Sequence, residues 1–196
     1  MHTRISARIA FCASFLLFLP VALESASLVK LDLRELVAES PTIVHGRVLS
    51  SSSRWTADRS VIVTDVRLQV IEALKGQEQG EVVIIQLGGE VGALRVEVSG
   101  ALSFKPGDES ILFLHRDTRG RSLVTGFSQG YFAVERDPAT HKKVVKGISR
   151  DQLDALQTIR GTIGPGDRTP GGDVSLDWFK GGMRDLVRDM IKKGGR

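Results

Sequence analysis

Apolar and polar residues alternate along much of the middle of the chain, and the segment 61–74 is the clearest case. Between residues 62 and 70 the even-numbered positions are mostly apolar and the odd-numbered positions are mostly polar. A period of two gives a β-strand one apolar face and one polar face. The segment is longer than the usual strand of about five or six residues. It therefore predicts a long strand that bends and serves two parts of a barrel or sandwich.

Shorter strands are predicted on both sides of this segment. They lie at 42–49, at the continuous apolar run 81–87, and at 91–98, 110–115, 122–125, 130–135 and 143–146. Turn-forming residues separate them roughly every eight to twelve positions, which is typical of an all-β barrel or sandwich. The β domain is expected to span residues 28–148.

Helical spacing of apolar residues marks both ends of the β domain. Residues 31–39 place Leu33, Leu36 and Val37 on one face of a short helix, which ends before Pro41. At the other end, residues 149–160 predict a helix that opens with a capping box.

The rest of the chain is predicted as a linker and a final helix. Residues 161–173 have the composition of a flexible linker, and residues 174–196 predict an amphipathic helix. The apolar stripe of that helix contains Phe179, Met183, Leu186 and Met190. The favoured interpretation is that the stripe packs on the β domain, because an isolated helix of this length is marginal in water. The alternative is a tethered helix that meets a partner or an anionic membrane surface.

Two loops form the candidate interaction surface. A polar connection at 50–55 carries Arg54 and Trp55, and a second turn carries Gly88, Gly89 and Glu90. Trp55 is either a lid over one end of the barrel or an exposed recognition anchor, and the lid is favoured. The glycines predict a hairpin turn with positive φ, since the turn lacks the Gly-Lys-Ser/Thr ending of a phosphate loop.

Residues 1–27 have the order of a Sec-type signal peptide: two arginines, a short apolar run, then small residues. The only cysteine, Cys12, lies in this segment, so the mature chain is expected to be exported, periplasmic or secreted, and free of disulfides. The net charge of +4 falls to +3 without Arg4, Arg8 and Glu24. Acidic and basic residues are interspersed, which argues against a nucleic-acid partner.

The sequence contains no catalytic or metal-binding motif. His45, His115 and His141 do not occur at ligand spacing, and there is no Gly-x-Ser-x-Gly turn. We therefore expect no metal, no cofactor and no enzymatic activity.

Three segments together resemble a group of uncharacterised bacterial exported proteins. They are the helix and Ile-Val-x-Gly-x-Val strand of residues 33–48, the long strand ending in Leu74-Lys75-Gly76, and the Phe-Lys-Pro-Gly-Asp-Glu turn at 104–109. The resemblance covers about residues 31–135.

The order of these segments is also similar to the netrin-like domain of tissue inhibitors of metalloproteinases, an OB-type barrel. That resemblance implies an OB-like closed or partly open antiparallel barrel with a short N-terminal helix and C-terminal helices. The inhibitors chelate zinc through an N-terminal cysteine and rely on disulfides, and the expected mature chain has neither. The resemblance therefore extends to the fold and not to that mechanism.

These observations predict an exported, non-enzymatic binding or interaction module of unknown ligand, whose partner is an envelope protein. One alternative is a periplasmic protease inhibitor-like or chaperone-like protein that acts sterically through the barrel loops. Another is an enzyme of unrecognised type, which a cleft that joins His45 or His115 to an acid would favour.

Overall fold

The computed structural model describes residues 30–194. The predicted signal peptide, residues 1–27, lies outside the described residues. Within the described residues the α-helices are α1 (Leu33–Glu39), α2 (Arg150–Arg160) and α3 (Leu176–Gly194). The strands are β1 (Thr42–Trp55), β2 (Ile62–Lys75), β3 (Glu81–Leu87), β4 (Gly89–Val91), β5 (Leu94–Val96), β6 (Glu109–Arg116), β7 (Ser122–Val124), β8 (Tyr131–Arg136), β9 (Lys143–Val145) and β10 (Val174–Ser175). The fold is mainly β, as predicted.

The large sheet partly closes into a ring because β1 pairs with two strands. It runs antiparallel to β2 as far as Trp55, and its first six residues, Thr42–Arg47, also run antiparallel to β6. From β2 the ring continues through β3 and β7 back to β6. Strands β8, β9 and β10 extend the sheet outward from β6. The junction between β3 and β7 is parallel and consists of the pair Ile84 and Ser122.

Two strand predictions were wrong in extent. β1 continues to Trp55, where a polar connection was predicted for 50–55, because pairing with the long β2 holds the serine run extended. The single strand predicted at 91–98 is instead the second half of the two-stranded hairpin β4–β5. Its turn is at Gly92, whose φ of +62° suits glycine.

Successive residues of β1 point into two different cores. Val44 faces the inside of the ring and packs with the cluster Val48, Val66, Leu68, Ile84, Leu112 and Leu114. Ile43 faces the opposite side, where the sheet is covered by α1, α2 and α3. Alternation along a strand makes this division possible.

The outer core is built around α3. Phe179, Met183 and Leu186 are fully buried in the same cluster as Ile43 and Phe113, and Met190 is half-buried beside them. The ring of Phe179 lies 5.3 Å from the ring of Phe132 on β8. The apolar stripe of the last helix therefore packs on the sheet, and its three buried side chains are not exposed to a partner in this structure.

Hydrogen bonds hold the segment before α3, residues 161–173, whose composition suggests a flexible linker. Lys142 Nζ donates to the Gly166 carbonyl at 3.1 Å, and Lys146 Nζ contacts the Asp173 carboxylate at 2.6 Å. These contacts bring the start of α3 back to β9.

Truncation of Phe179 tests the outer core. We expect Phe179→Ala to lower the free energy of unfolding by about 3–5 kcal/mol, because the side chain is fully buried and its loss leaves a cavity. Ile191, on the same helix, is 68% exposed, and Ile191→Ala should change stability by less than about 0.5 kcal/mol. Urea denaturation measures both values. Equal effects would contradict the docking of α3 on the sheet.

Candidate functional site

The structure brings the two predicted surface loops together at one end of the ring. Trp55 is half-buried, ends β1 and lies opposite Ile62 of β2. The Gly88 amide donates a hydrogen bond to the Ile62 carbonyl at 2.9 Å. The side chain of Arg54 is engaged by Asp65, with Nε 2.5 Å and Nη2 3.1 Å from the carboxylate oxygens.

The glycines of this surface are required by close packing. Gly89 has a φ of +132°, and a Cβ there would collide with the Ser53 and Thr64 hydroxyls. The chain makes its sharp crossing from β3 to β4 at this point, directly over β1 and β2. Glu90 is exposed on β4.

Beside the crossing lies an open cleft of about 470 Å³, here called the polar groove. Its polar lining comprises Ser51, Ser53, Thr64, Gln86, Glu90, Arg95, Glu97 and Ser103. The Gln86 side chain donates to the Leu102 carbonyl at 2.7 Å and accepts from the Leu102 amide at 3.0 Å. Those two bonds fix the loop 97–104 against β3.

On the other side of this loop is a second cleft of about 250 Å³, here called the apolar groove. It lies over the junction of β3 and β7. Its lining includes Ile85, Leu87, Val98, Leu102, Leu123 and Phe127, with His115 among them. Mostly apolar clefts with few polar groups are the usual form of a binding pocket.

Phe127 is the functional candidate that the sequence did not reveal. Its side chain is 48% exposed, and its φ of +56° is left-handed, a conformation that costs a non-glycine residue roughly 1–2 kcal/mol. It follows Gly126 at the break between β7 and β8, where no alternation marks it. Strain at an exposed aromatic residue beside an apolar groove is a feature of functional sites.

A cluster of charged groups surrounds Glu109 at the start of β6, where the side chain is 9% exposed. His45 Nε2 lies 2.7 Å from Oε1 of this carboxylate, and Lys143 Nζ lies 2.7 and 2.9 Å from its two oxygens. Arg47 adds a longer contact of 3.2 Å. The cluster forms one wall of a polar cleft of about 390 Å³.

The charge state of this cluster follows from its geometry. Burial alone would raise the pKa of Glu109, but the hydrogen bonds from Lys143, His45 and Arg47 together lower that pKa below its ordinary value. Burial also lowers the pKa of His45, against the opposing influence of Glu109. The carboxylate is therefore ionised and the imidazole neutral at neutral pH.

The cluster has the histidine and acid of a catalytic dyad but no nucleophile aligned with them. Ser110 is adjacent to Glu109 in sequence, but its side chain points to the inside of the ring and its Oγ is buried without a partner. His115 Nδ1 contacts the Thr125 hydroxyl at 3.3 Å. Within residues 30–194 no three histidine, cysteine or acidic side chains are grouped so as to hold a metal ion.

No family model matches the chain, and no curated protein matches it. None of the helices in the described part of the chain combines the length and apolar composition that crossing a bilayer requires.

Neutralising Glu109 tests its role as the centre of the charged cluster. Glu109→Gln should lower the free energy of unfolding by about 2 kcal/mol, because buried His45 loses a charged acceptor while Lys143 and Arg47 can turn to water. Glu81→Gln removes an exposed pair with Arg67 and should cost less than about 0.5 kcal/mol. Chemical denaturation at neutral pH compares them, and a smaller loss from Glu109→Gln would refute this role.

Proposed function

We propose that the protein is an exported, non-enzymatic binding module built on an OB-type barrel. Its working surface is the apolar groove with Phe127 on the rim, and its partner is an extended apolar segment of an envelope protein. The exposure of the Phe127 ring, which a left-handed backbone presents beside that groove, carries the proposal.

The strand order supports an OB-type barrel. The ring β1–β2–β3–β7–β6 has five strands, is antiparallel except where β3 meets β7, and is only partly closed. A five-stranded, partly open barrel is the form of the OB fold. The same fold is implied by the resemblance to the netrin-like domain, and the helices packed on one face agree with it.

The apolar character of the surface supports a protein partner. Phe127 and Leu87 are each about half exposed and line the same groove. Single exposed apolar side chains are ordinary, but contiguous exposed apolar surface is typical of interaction sites. The left-handed backbone of Phe127 is also unfavourable for stability, and strained positions of this kind cluster at ligand-contacting sites, which supports a role for the exposed ring.

The open junction beneath the groove supports an extended partner. All seven residues of β3 pair with β2, whereas among the described residues its ladder with β7 is the single pair Ile84 and Ser122. Beyond Ile84 the edge of β3 faces the apolar groove. An extended peptide can add to such an edge through its backbone and place alternate side chains in the groove.

Two features support the absence of enzymatic activity. His45 is 2% exposed, so a substrate has no access to the imidazole that pairs with Glu109. The side chains of His45 and Ser110 also point to opposite faces of the sheet. His45 faces the outer core, whereas Ser110 is the register partner of Gly46, the next residue along β1, and successive residues of a strand face opposite sides. A general base must lie within hydrogen-bond distance of the proton that it removes.

Steric inhibition of a protease is the second candidate function, and the hairpin β4–β5 favours it. Leu94 directly follows the hairpin turn and is 57% exposed, which suits insertion into the cleft of another protein. This function would use the hairpin, whereas the proposed binding of an extended apolar segment would use the groove.

A capture experiment with three matched variants tests the proposal. The chain from residue 28 is immobilised and exposed to the envelope fraction, beside Phe127→Asp, Leu94→Asp and Ile191→Asp, after circular dichroism has shown equal folding. We expect a protein that is retained by the unaltered chain and by Ile191→Asp, and lost with Phe127→Asp, because a charge on the rim opposes burial of an apolar segment.

Loss with Leu94→Asp alone would favour inhibition by the hairpin. Retention by every variant, or no retained protein at all, would contradict the proposed working surface.

A further inference from the structure

A layer of charged side chains lies between α3 and the sheet. On the helix, Lys180 Nζ is 3.0 Å from a carboxylate oxygen of Glu72 on β2, and Arg184 binds the other oxygen of the same carboxylate. Lys180 is 15% exposed, so this ion pair is largely removed from solvent. It joins the helix to the sheet next to the apolar contacts of Phe179.

His45 lies in this layer. It is opposite Glu72 on one side and Ile111 on the other, and Ile111 belongs to the core that α3 covers. Its Nε2 lies 2.7 Å from the Glu109 carboxylate, which only accepts hydrogen bonds, so the ring proton is on Nε2. Nδ1 is then a bare acceptor, and this buried atom has no hydrogen-bond partner.

Most of the charged side chains that face His45 already form ion pairs with one another. They are Arg47 on β1, Glu72 on β2, Glu109 on β6, Lys143 on β9, and Lys180 and Arg184 on α3. A proton on Nδ1 would create a buried cation close to two lysines, and its new N–H would have no acceptor. A buried group of this kind is accommodated only if the surrounding structure opens.

We propose that α3 is an acid-released latch, in which protonation of His45 at Nδ1 weakens the packing of the helix on the sheet. The opening frees the apolar stripe of α3, including Phe179, Met183 and Leu186, which the closed structure buries. This device is independent of the apolar groove and of its partner.

The direction of the effect follows from the two states. Burial, with further contributions from Lys180 and Lys143, holds the pKa of His45 below 6.5 in the closed state, and the Glu109 interaction only partly offsets it. In the open state the pKa returns towards 6.5. The stability that the closed helix gains is therefore fully present above pH 6.5 and is lost as the pH falls below it.

The carboxylates titrate in a lower pH range. Ion pairing with Lys180 and Arg184 lowers the pKa of Glu72 below 4.5 although burial opposes it, and the pKa of Glu109 is also below 4.5. The ion pairs of the layer therefore persist as the pH first falls below 6.5, where the histidine of the open state gains its charge.

Cysteine labelling measures the opening directly, because residues 28–196 contain no thiol. Met183→Cys places one thiol on the buried face of α3, with Leu186→Cys as a second reporter. Ile191→Cys on the exposed face gives the intrinsic rate at each pH, and Val66→Cys reports on opening of the barrel interior. Each is made in the chain from residue 28 with His45 present and with His45→Gln, which keeps a donor for Glu109 but does not titrate.

We expect the ratio of the labelling rate at residue 183 to that at residue 191 to rise as the pH is lowered from about 7.5 to about 5. The rise should be up to about tenfold for each unit by which the closed state lowers the pKa of His45. His45→Gln should abolish the rise, and the rate at residue 66 should change much less. A ratio that is independent of pH, the same rise in His45→Gln, or an equal rise at residue 66 would each overturn the latch.

Discussion

The structure depends on the close approach of β1 to β2 at Gly46, which allows one strand to serve two neighbours. A Cβ at this position would lie 2.5 Å from Leu68 Cδ2 and 2.9 Å from the Gln69 carbonyl oxygen, closer than atoms pack. The pairing of β1 with β2 also shifts register on both sides of this point, between residues 45 and 46 and between 48 and 50. Such irregularities bend a strand and increase its twist. The first half of β1 can thus lie between β2 and β6 while its second half continues with β2 alone, and the sheet partly closes into a ring.

Closure of the ring through β1 determines where the remaining surfaces lie. The inside of the ring takes Val44 and Val48, and the outside takes Ile43 and His45, so the helices cover a face that contains both apolar and charged groups. The ring is weakest opposite β1, where β3 and β7 share one pair. The apolar groove lies over that junction, and Phe127 stands where the chain leaves β7. The firmly closed side therefore carries the proposed helix latch, while the open side presents the proposed binding surface.

The sequence predicted the elements whose apolar spacing is regular and missed those that depend on distant contacts. The faces of α1 and the capping box of α2 agree with the structure, as does the long strand β2. The serine run of β1 has no alternation, and only its pairing with β2 makes it a strand.

Residues 45, 109 and 143 are too far apart along the chain for any spacing to join them. The left-handed backbone of Phe127 lies in the short turn that follows Gly126, where no apolar periodicity marks it. The sequence shows a glycine at position 46 of the Ile-Val-x-Gly-x-Val segment. Why glycine is required there follows only from the position of Leu68 in the structure.

The most direct test of this account is the stability of Gly46→Ala, measured by urea denaturation beside Gly166→Ala. An added methyl at Gly46 would press on the backbone of β2 as well as on Leu68, so we expect a loss of about 2 kcal/mol, typical of an overpacked core. At Gly166 the nearest atom is the flexible Lys142 Nζ at 3.9 Å, and alanine should be tolerated within about 0.5 kcal/mol. If Gly46→Ala proved as stable as Gly166→Ala, the close approach of β1 and β2 would not be what brings the sheet into a partly closed ring.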